Sequence, residues 1–194
     1  IAKTIGLDPR IGKLFLNAGP GYGGSCLPKD MKALINFANI SGINPILLNA
    51  VEEVNTKQLK QIIALTKQKL GNLSSKKITI LGTAFKPDTD DIRDSIAIEL
   101  IKKLLKMKPK IIIHDPKAIK NTKRIFEDKI SYAKTIEDAL SKSHCVIIMT
   151  QWKQYEKLNN NEFKYMTRKF VIDCRRMLVR KQLDIDYYAI GLGK

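Results

Sequence analysis

Residues 77–115 read KITILGTAFKPDTDDIRDSIAIELIKKLLKMKPKIIIHD, and this stretch decides the fold. Two apolar, β-branched runs, Lys77–Gly82 and Lys110–His114, are typical of buried strands. Between them, Ser95–Lys106 has the spacing of an amphipathic helix. A strand, a helix and a second strand in this order predict a parallel pair joined by a crossover helix.

The remaining C-terminal sequence continues this alternation. It predicts strands at Cys145–Thr150, Lys169–Asp173 and Tyr187–Ile190, and a short helix at Thr135–Ser141. The fold class is therefore α/β, with a parallel sheet covered on both faces. Ligands of such sheets bind beyond the carboxyl ends of the strands. The sequence places these residues there: Thr83 to Lys86, Asp115 with Pro116, Gln151 with Trp152, and Cys174 to Arg176. Most of these ends are polar or basic, which favours an anionic ligand.

The N-terminal part is predicted to be helical. Residues 29–42 (KDMKALINFANISG) form one helix, and a longer helix runs from near Pro45 to Gly71. At 1.5 Å per residue the second helix is about 40 Å long. A helix of that length is expected to connect domains or to form a homodimer interface. We expect a domain boundary near residue 72, which separates residues 1–72 from residues 73–194.

The composition limits the classes of function. There are 35 Lys and Arg against 19 Asp and Glu, a formal net charge of +16, but the lysines are scattered and no nucleic-acid-binding motif is visible. No apolar run approaches the ~20 residues of a membrane span. Three widely separated cysteines and two histidines indicate neither a disulfide framework nor a metal site, and favour a reducing cytoplasm. We therefore expect no nucleic-acid, membrane or metal partner.

The strongest chemical signal is NAGPGYGGSC, residues 17–26. Its glycines allow backbone N–H groups to approach a ligand. Cys26 precedes a predicted helix N-terminus, which favours the thiolate, and Lys29 adds positive charge. Asp30 lies about one turn further on, where it can act on water or a proton. These groups suit covalent catalysis on a carbonyl, although a tight turn around a passive, buried cysteine explains the spacing equally well.

Four motifs in order resemble the UDP-glucose and GDP-mannose dehydrogenase family. They are GPGYGGSCLPKD at 19–30, GTAFKPDTDDIRDS at 82–95, HDPKA at 114–118 and IDCRRML at 172–178. GLDPRIG at 6–12 and FLNAGPGYGGS at 15–25 are similar to the UDP-glucose branch. The resemblance implies the end of a helical dimerisation domain followed by a Rossmann-like UDP-binding domain.

The resemblance also implies a reaction and a set of site residues. A sugar C6 alcohol is oxidised to a carboxylate with two NAD, through a thiohemiacetal and a thioester on Cys26, and Asp30 assists proton transfer and water attack. The implied substrate contacts are Arg10 (reaching a neighbouring subunit), Phe15, Asn17, Gly21, Tyr22, Gly23, Lys86 and Arg175. The implied residues on the NAD side are Ser25, Lys29 and Arg93.

The family's NAD-binding signature, GxGxxG after a first strand, does not occur in this sequence. We therefore expect an NAD-binding half outside these residues, and the isolated chain to bind a UDP-sugar weakly or not at all and to be inactive. Two alternatives stay open. The substrate can be a UDP-N-acetylhexosamine or GDP-mannose, or the chain can be a non-catalytic nucleotide-sugar-binding or assembly module.

Overall fold

The N-terminal part of the computed structural model, which describes residues 1–178 and 182–192, is helical. A short helix α1 (Ala2–Ile5) and a 3-10 turn (Leu14–Leu16) precede the glycine-rich loop. Helix α2 (Leu27–Ile40) begins directly after Cys26, and helix α3 spans Ile46–Leu70. The long helix predicted from Pro45 to Gly71 is thus confirmed, while α2 begins and ends two residues before its predicted bounds.

The C-terminal part contains a parallel six-stranded sheet with the order β3-β2-β1-β4-β5-β6. The strands are β1 (Lys77–Leu81), β2 (Lys110–His114), β3 (Ser131–Tyr132), β4 (Cys145–Ile148), β5 (Phe170–Asp173) and β6 (Asp186–Ala189). The helices that follow α3 are α4 (Ile96–Leu105), α5 (Ile119–Phe126), α6 (Ile136–Leu140), α7 (Lys153–Glu156) and α8 (Asn160–Phe163). This strand order is that of the Rossmann fold, which confirms the predicted class.

Several short elements were absent from the sequence-based prediction. Helix α5, strand β3 and helices α7 and α8 lie in connections for which the sequence pattern predicts no regular structure. Strand β3 has only two residues and lies at the sheet edge, so no alternating apolar pattern is available to reveal it. Helices α7 and α8 are single turns, too short to produce a helical period.

Apolar side chains cover both faces of the sheet. On one face, Ile78 and Ile80 of β1 pack with α4 and with Leu59 and Ile62 from the second half of α3. On the other face, Leu81 packs with residues of α6, α7 and α8. The second half of α3 is therefore fixed to the sheet, and the residues that follow each strand are held at one edge. No helix among the described residues combines the length and apolarity that a membrane crossing requires.

Candidate active-site groove

The glycine-rich loop, residues 17–26, lies against several elements at once. Gly21 and Gly24 have φ angles of 119° and 92°, which residues with side chains rarely adopt. A Cβ on Gly24 would lie 2.7 Å from the Phe85 ring, and one on Gly21 would collide with the amide of Asn55. Only glycine fits these two positions, because both the backbone angles and the space exclude a side chain.

Two further glycines of the loop face the α/β domain. A Cβ on Gly19 would lie 2.7 Å from Nη1 of Arg175, and one on Gly23 would collide with the carbonyl oxygen of Asp94. The loop thus contacts the segment after β5 as well as the segment before α4. Its glycines allow the backbone to join the helical part of the chain to the carboxyl edge of the sheet.

Three hydrogen bonds connect Tyr22 to helix α3. Its backbone N–H donates to Oδ1 of Asn55 at 2.8 Å, and Nδ2 of Asn55 donates to its carbonyl at 3.1 Å. Its hydroxyl donates to Glu52. Burial raises the pKa of Tyr22 to about 12, and the Glu52 carboxylate adds to this effect. Tyr22 is therefore neutral at physiological pH, and no local sequence pattern indicates its two partners on α3.

Cys26 is exposed at the N-terminus of α2, and Ser25 Oγ lies 3.6 Å from its sulfur. The Cys26 carbonyl accepts the N–H of Asp30 at 2.9 Å, which places Asp30 one helical turn away. Lys29 Nζ pairs with Asp30 Oδ1 at 3.2 Å, and both side chains are well exposed. The other cysteines, Cys145 and Cys174, are buried, and burial raises the pKa of each.

Lys86 and Arg175 follow two different strands, β1 and β5. The half-buried Arg175 donates Nε–H to the carbonyl of Met149 at 2.8 Å, which fixes the direction of its guanidinium. Burial lowers the pKa of Arg175, whereas Cys174 and Asp173 act in the opposite direction. Lys86 is exposed, and its ammonium lies 5.5 Å from the centre of the Phe85 ring.

One groove of about 710 Å³ is lined by Cys26, Lys86 and Arg175. Its lining includes these residues from the sequence-based set: Phe15, Asn17, Gly21, Tyr22, Gly23, Ser25, Cys26, Lys86 and Arg175. It also includes Gly19, Gly24, Leu27, Phe85 and Gln151, which that set omitted. Phe85 and Gln151 follow strands β1 and β4, at two of the strand ends where the sequence already predicts that ligands bind.

Four members of the set lie outside the lining of this groove: Arg10, Lys29, Asp30 and Arg93. Arg10 makes an exposed ion pair with Asp8, two residues away, at 2.7 Å. Arg93 makes a similar pair with Asp91 at 2.7 Å. The pKa of Arg93 is raised chiefly by Asp91, and Cys26 contributes to the same shift, so this cation lies within electrostatic reach of the thiol.

A second groove, of about 640 Å³, shares Gly19, Gly21 and Tyr22 with the first. Apolar residues of α3, including Leu47, Val51 and Val54, form one wall, and Arg176 and Ile190 form the other. Neither Cys26 nor Lys86 belongs to its lining, so it offers no comparable chemistry.

The described residues contain no group of three or more His, Cys, Asp or Glu side chains placed to bind a metal ion.

Comparisons with known proteins agree with this arrangement. Residues 1–57 match the central domain of the UDP-glucose/GDP-mannose dehydrogenase family, and residues 79–180 match its UDP binding domain. The chain is 40% identical over 190 residues to a UDP-glucose 6-dehydrogenase of Haloferax volcanii, covering 98% of this chain and 43% of that protein. It is 36% identical over 197 residues to the Rickettsia conorii UDP-glucose 6-dehydrogenase, covering 98% and 46%.

A solved structure has the same fold. The UDP-glucose dehydrogenase of Pyrobaculum islandicum superimposes with a TM-score of 0.88 at 33% identity, covering 99% of this chain and 43% of that one. The chain thus spans less than half the length of these relatives. With both of its parts matched in order, the chain belongs to the UDP-glucose/GDP-mannose dehydrogenase family.

Proposed function

We propose that this chain is the UDP-sugar-binding and cysteine-bearing part of an NAD-dependent UDP-glucose 6-dehydrogenase, divided into residues 1–72 and 73–194. The observation that carries the proposal is the groove shared by Cys26, Lys86 and Arg175. Two cations suit the diphosphate of a nucleotide-sugar. A thiol that lines the same groove suits covalent attack on a carbonyl carbon.

The chemistry follows from these positions. The C6 alcohol first loses a hydride from carbon and a proton from its hydroxyl, which gives an aldehyde. The Cys26 sulfur adds to this aldehyde and forms a thiohemiacetal, and loss of a second hydride from C6 and of the hydroxyl proton gives a thioester. Water then attacks the thioester carbon, the C–S bond breaks, and the carboxylate and free thiol are released. Asp30, one turn from Cys26, is proposed to assist proton transfer and the water attack. When bound, NAD accepts the hydride lost from C6 in each of the two oxidations.

The end of β1 does not fit the pyrophosphate of NAD. In dinucleotide-binding domains of this strand order, N–H groups after the first strand bind the pyrophosphate. Here the N–H groups of residues 83–84 donate to the Asp115 carboxylate at 2.7 and 3.0 Å. We therefore propose that NAD is bound chiefly by protein other than residues 1–194. Ser25, Lys29 and Arg93 are proposed to contact only its reactive end.

Alkylation of Cys26 tests the proposal on the chain itself. Iodoacetamide is expected to label Cys26 rapidly near neutral pH, and saturating UDP-glucose is expected to slow the labelling. Lys86→Ala and Arg175→Ala should weaken this protection, whereas Lys103→Ala, an exposed lysine of α4, should not. UDP-N-acetylglucosamine and GDP-mannose, tested in parallel, distinguish the alternative substrates.

Two results would contradict parts of this proposal. Slow labelling with the pH dependence of an ordinary thiol, near pH 8–9, would indicate a passive binding or assembly module. Clear NADH production by the isolated chain with UDP-glucose would show that the NAD site does not require other protein.

We also propose that α2 and α3 form a homodimer interface. Large apolar side chains of these helices and of the connection between them are exposed: Leu34, Phe37, Ile40, Ile43, Ile46, Leu47 and Val54. Exposed apolar surface of this extent is typical of protein–protein contact sites. The second half of α3 is packed on the sheet, so only the first half is available for such a contact.

A further inference from the structure

Two aspartates are buried at the carboxyl edge of the sheet, beneath the groove. Asp115 follows β2 and is 4% exposed, and Asp173 ends β5 and is fully buried. Across the described residues, the hydrogen bonds to both carboxylates come from backbone N–H groups and aromatic side chains, and no cationic side chain pairs with either. A buried carboxylate costs free energy unless its lone pairs are occupied, so these networks constrain the surrounding backbone.

Asp115 ties together three strand ends. Oδ2 accepts the N–H groups of residues 83–84, which follow β1, and the indole N–H of Trp152, which follows β4, at 3.3 Å. Oδ1 accepts the N–H groups of residues 117–118 at 2.9 and 2.7 Å. Only Phe85 separates Lys86 from residues 83–84. The Asp115 carboxylate therefore also fixes the backbone position of Lys86.

Asp173 organises the loop that carries Arg175. Oδ1 accepts the Arg175 N–H at 2.9 Å, and Oδ2 accepts the Leu178 N–H at 2.9 Å and the Tyr187 hydroxyl at 3.0 Å. These bonds close the loop between β5 and residue 178. The Arg175 guanidinium then donates to the Met149 carbonyl and lies against the backbone of Gly19.

We infer that Asp115 and Asp173 are positioning residues, each of which fixes one cation of the groove: Asp115 fixes Lys86 and Asp173 fixes Arg175. The inference rests on the proposed binding of a nucleoside diphosphate by these cations. Neither carboxylate reaches the groove, because each is buried behind the loop that it organises. Each therefore acts on a ligand only through its cation.

A crossed double-mutant cycle tests this assignment. UDP affinity is measured by NMR titration for Asp115→Asn and Asp173→Asn, each alone and combined with Lys86→Ala or Arg175→Ala. Each single Asp→Asn variant is expected to weaken UDP binding about tenfold, since a charge-assisted contact is misplaced. Asp115→Asn should have less than about a twofold effect once Lys86 is Ala, but its full effect when Arg175 is Ala. Asp173→Asn should show the reverse pattern.

Amide hydrogen exchange gives a readout that needs no ligand. Asparagine offers one acceptor oxygen where each aspartate uses two, so one group of donors is left facing an amide NH₂. Asp115→Asn is expected to speed exchange in residues 83–86 and to leave residues 175–178 unchanged. Asp173→Asn is expected to do the opposite. If either variant fails to fold, Trp152→Phe or Tyr187→Phe, which removes one donor to the same carboxylate, takes its place.

The outcomes separate this inference from the proposed function. Additive effects in all four combinations, or exchange that rises equally in both loops, would show a general structural role and overturn it. If UDP perturbs no amide of the wild-type chain, the proposed binding function fails for this chain. The exchange pattern then decides whether each aspartate fixes its own loop.

Discussion

The side-chain amide of Asn55 pairs with both backbone polar groups of Tyr22, at 2.8 and 3.1 Å. Asn55 lies in the middle of α3, whose second half packs on the sheet, and Tyr22 lies four residues before Cys26. This pair therefore connects the position of the cysteine loop to the helix that joins the two parts of the chain.

Replacing Asn55 should loosen this connection. Asn55→Asp keeps an acceptor for the Tyr22 N–H but loses the donor to its carbonyl and places a second oxygen against it. We expect a loss of about 1–2 kcal/mol in the free energy of unfolding, measured with urea. Asn49→Asp makes the same chemical change on an exposed part of α3 and should cost less than about 0.5 kcal/mol. Equal losses in both variants would contradict the role assigned to Asn55.

Gly24→Ala should destabilise the chain more than Gly42→Ala does. Both glycines have positive φ angles, 92° and 74°, so both substitutions strain the backbone. Only at Gly24 would the added Cβ also meet the Phe85 ring, at 2.7 Å, whereas the space around Gly42 is open. The difference should be about 1–3 kcal/mol, the usual cost of overpacking. Urea unfolding of the two variants measures it, and similar losses would show that Phe85 moves aside freely.

The stability of the chain should fall below neutral pH because of His114. Burial lowers the pKa of this side chain, and its Nδ1 lies 2.9 Å from the Tyr155 hydroxyl. The unfolded chain therefore binds the proton more readily than the folded one, and stability is lost as pH falls below about 6.5. His114→Gln should reduce the change in urea midpoint between about pH 7 and pH 5. His144→Gln, at a half-buried position, should reduce it less, and the reverse order would contradict this assignment.

Leu47→Glu should weaken self-association without unfolding the chain. Leu47 is 75% exposed in the first half of α3, so a charge there costs little in the monomer and much in a buried interface. Sedimentation velocity should show a dimer for the wild-type chain and a monomer for the variant, while the far-UV circular dichroism of the two chains stays the same. Gln61→Glu, an exposed change in the second half of α3, serves as the control. A wild-type chain that stays monomeric at all concentrations would contradict the proposed interface.

The sequence by itself determined the class of fold and most of the residues that line the groove. Apolar runs located β1, β2, β4 and β5, because buried parallel strands require them along their whole length. Since the carboxyl ends of parallel strands share one edge, the same pattern brought Lys86 and Arg175 together without any knowledge of contacts. Cys26 was indicated by the glycine-rich loop and the helix that follows it, because both are visible in the sequence next to the cysteine.

Only the tertiary structure decided which partners hold these residues. Asn55 lies 33 positions from Tyr22, and Asp115 lies 32 positions from Thr83, so no local pattern links either pair. The tertiary structure also placed Arg10 and Arg93 in exposed pairs with neighbouring aspartates, away from the lining of the groove. Burial periodicity reflects the mean environment of an element, whereas a hydrogen bond depends on the meeting of two atoms, which is fixed only when the chain has packed.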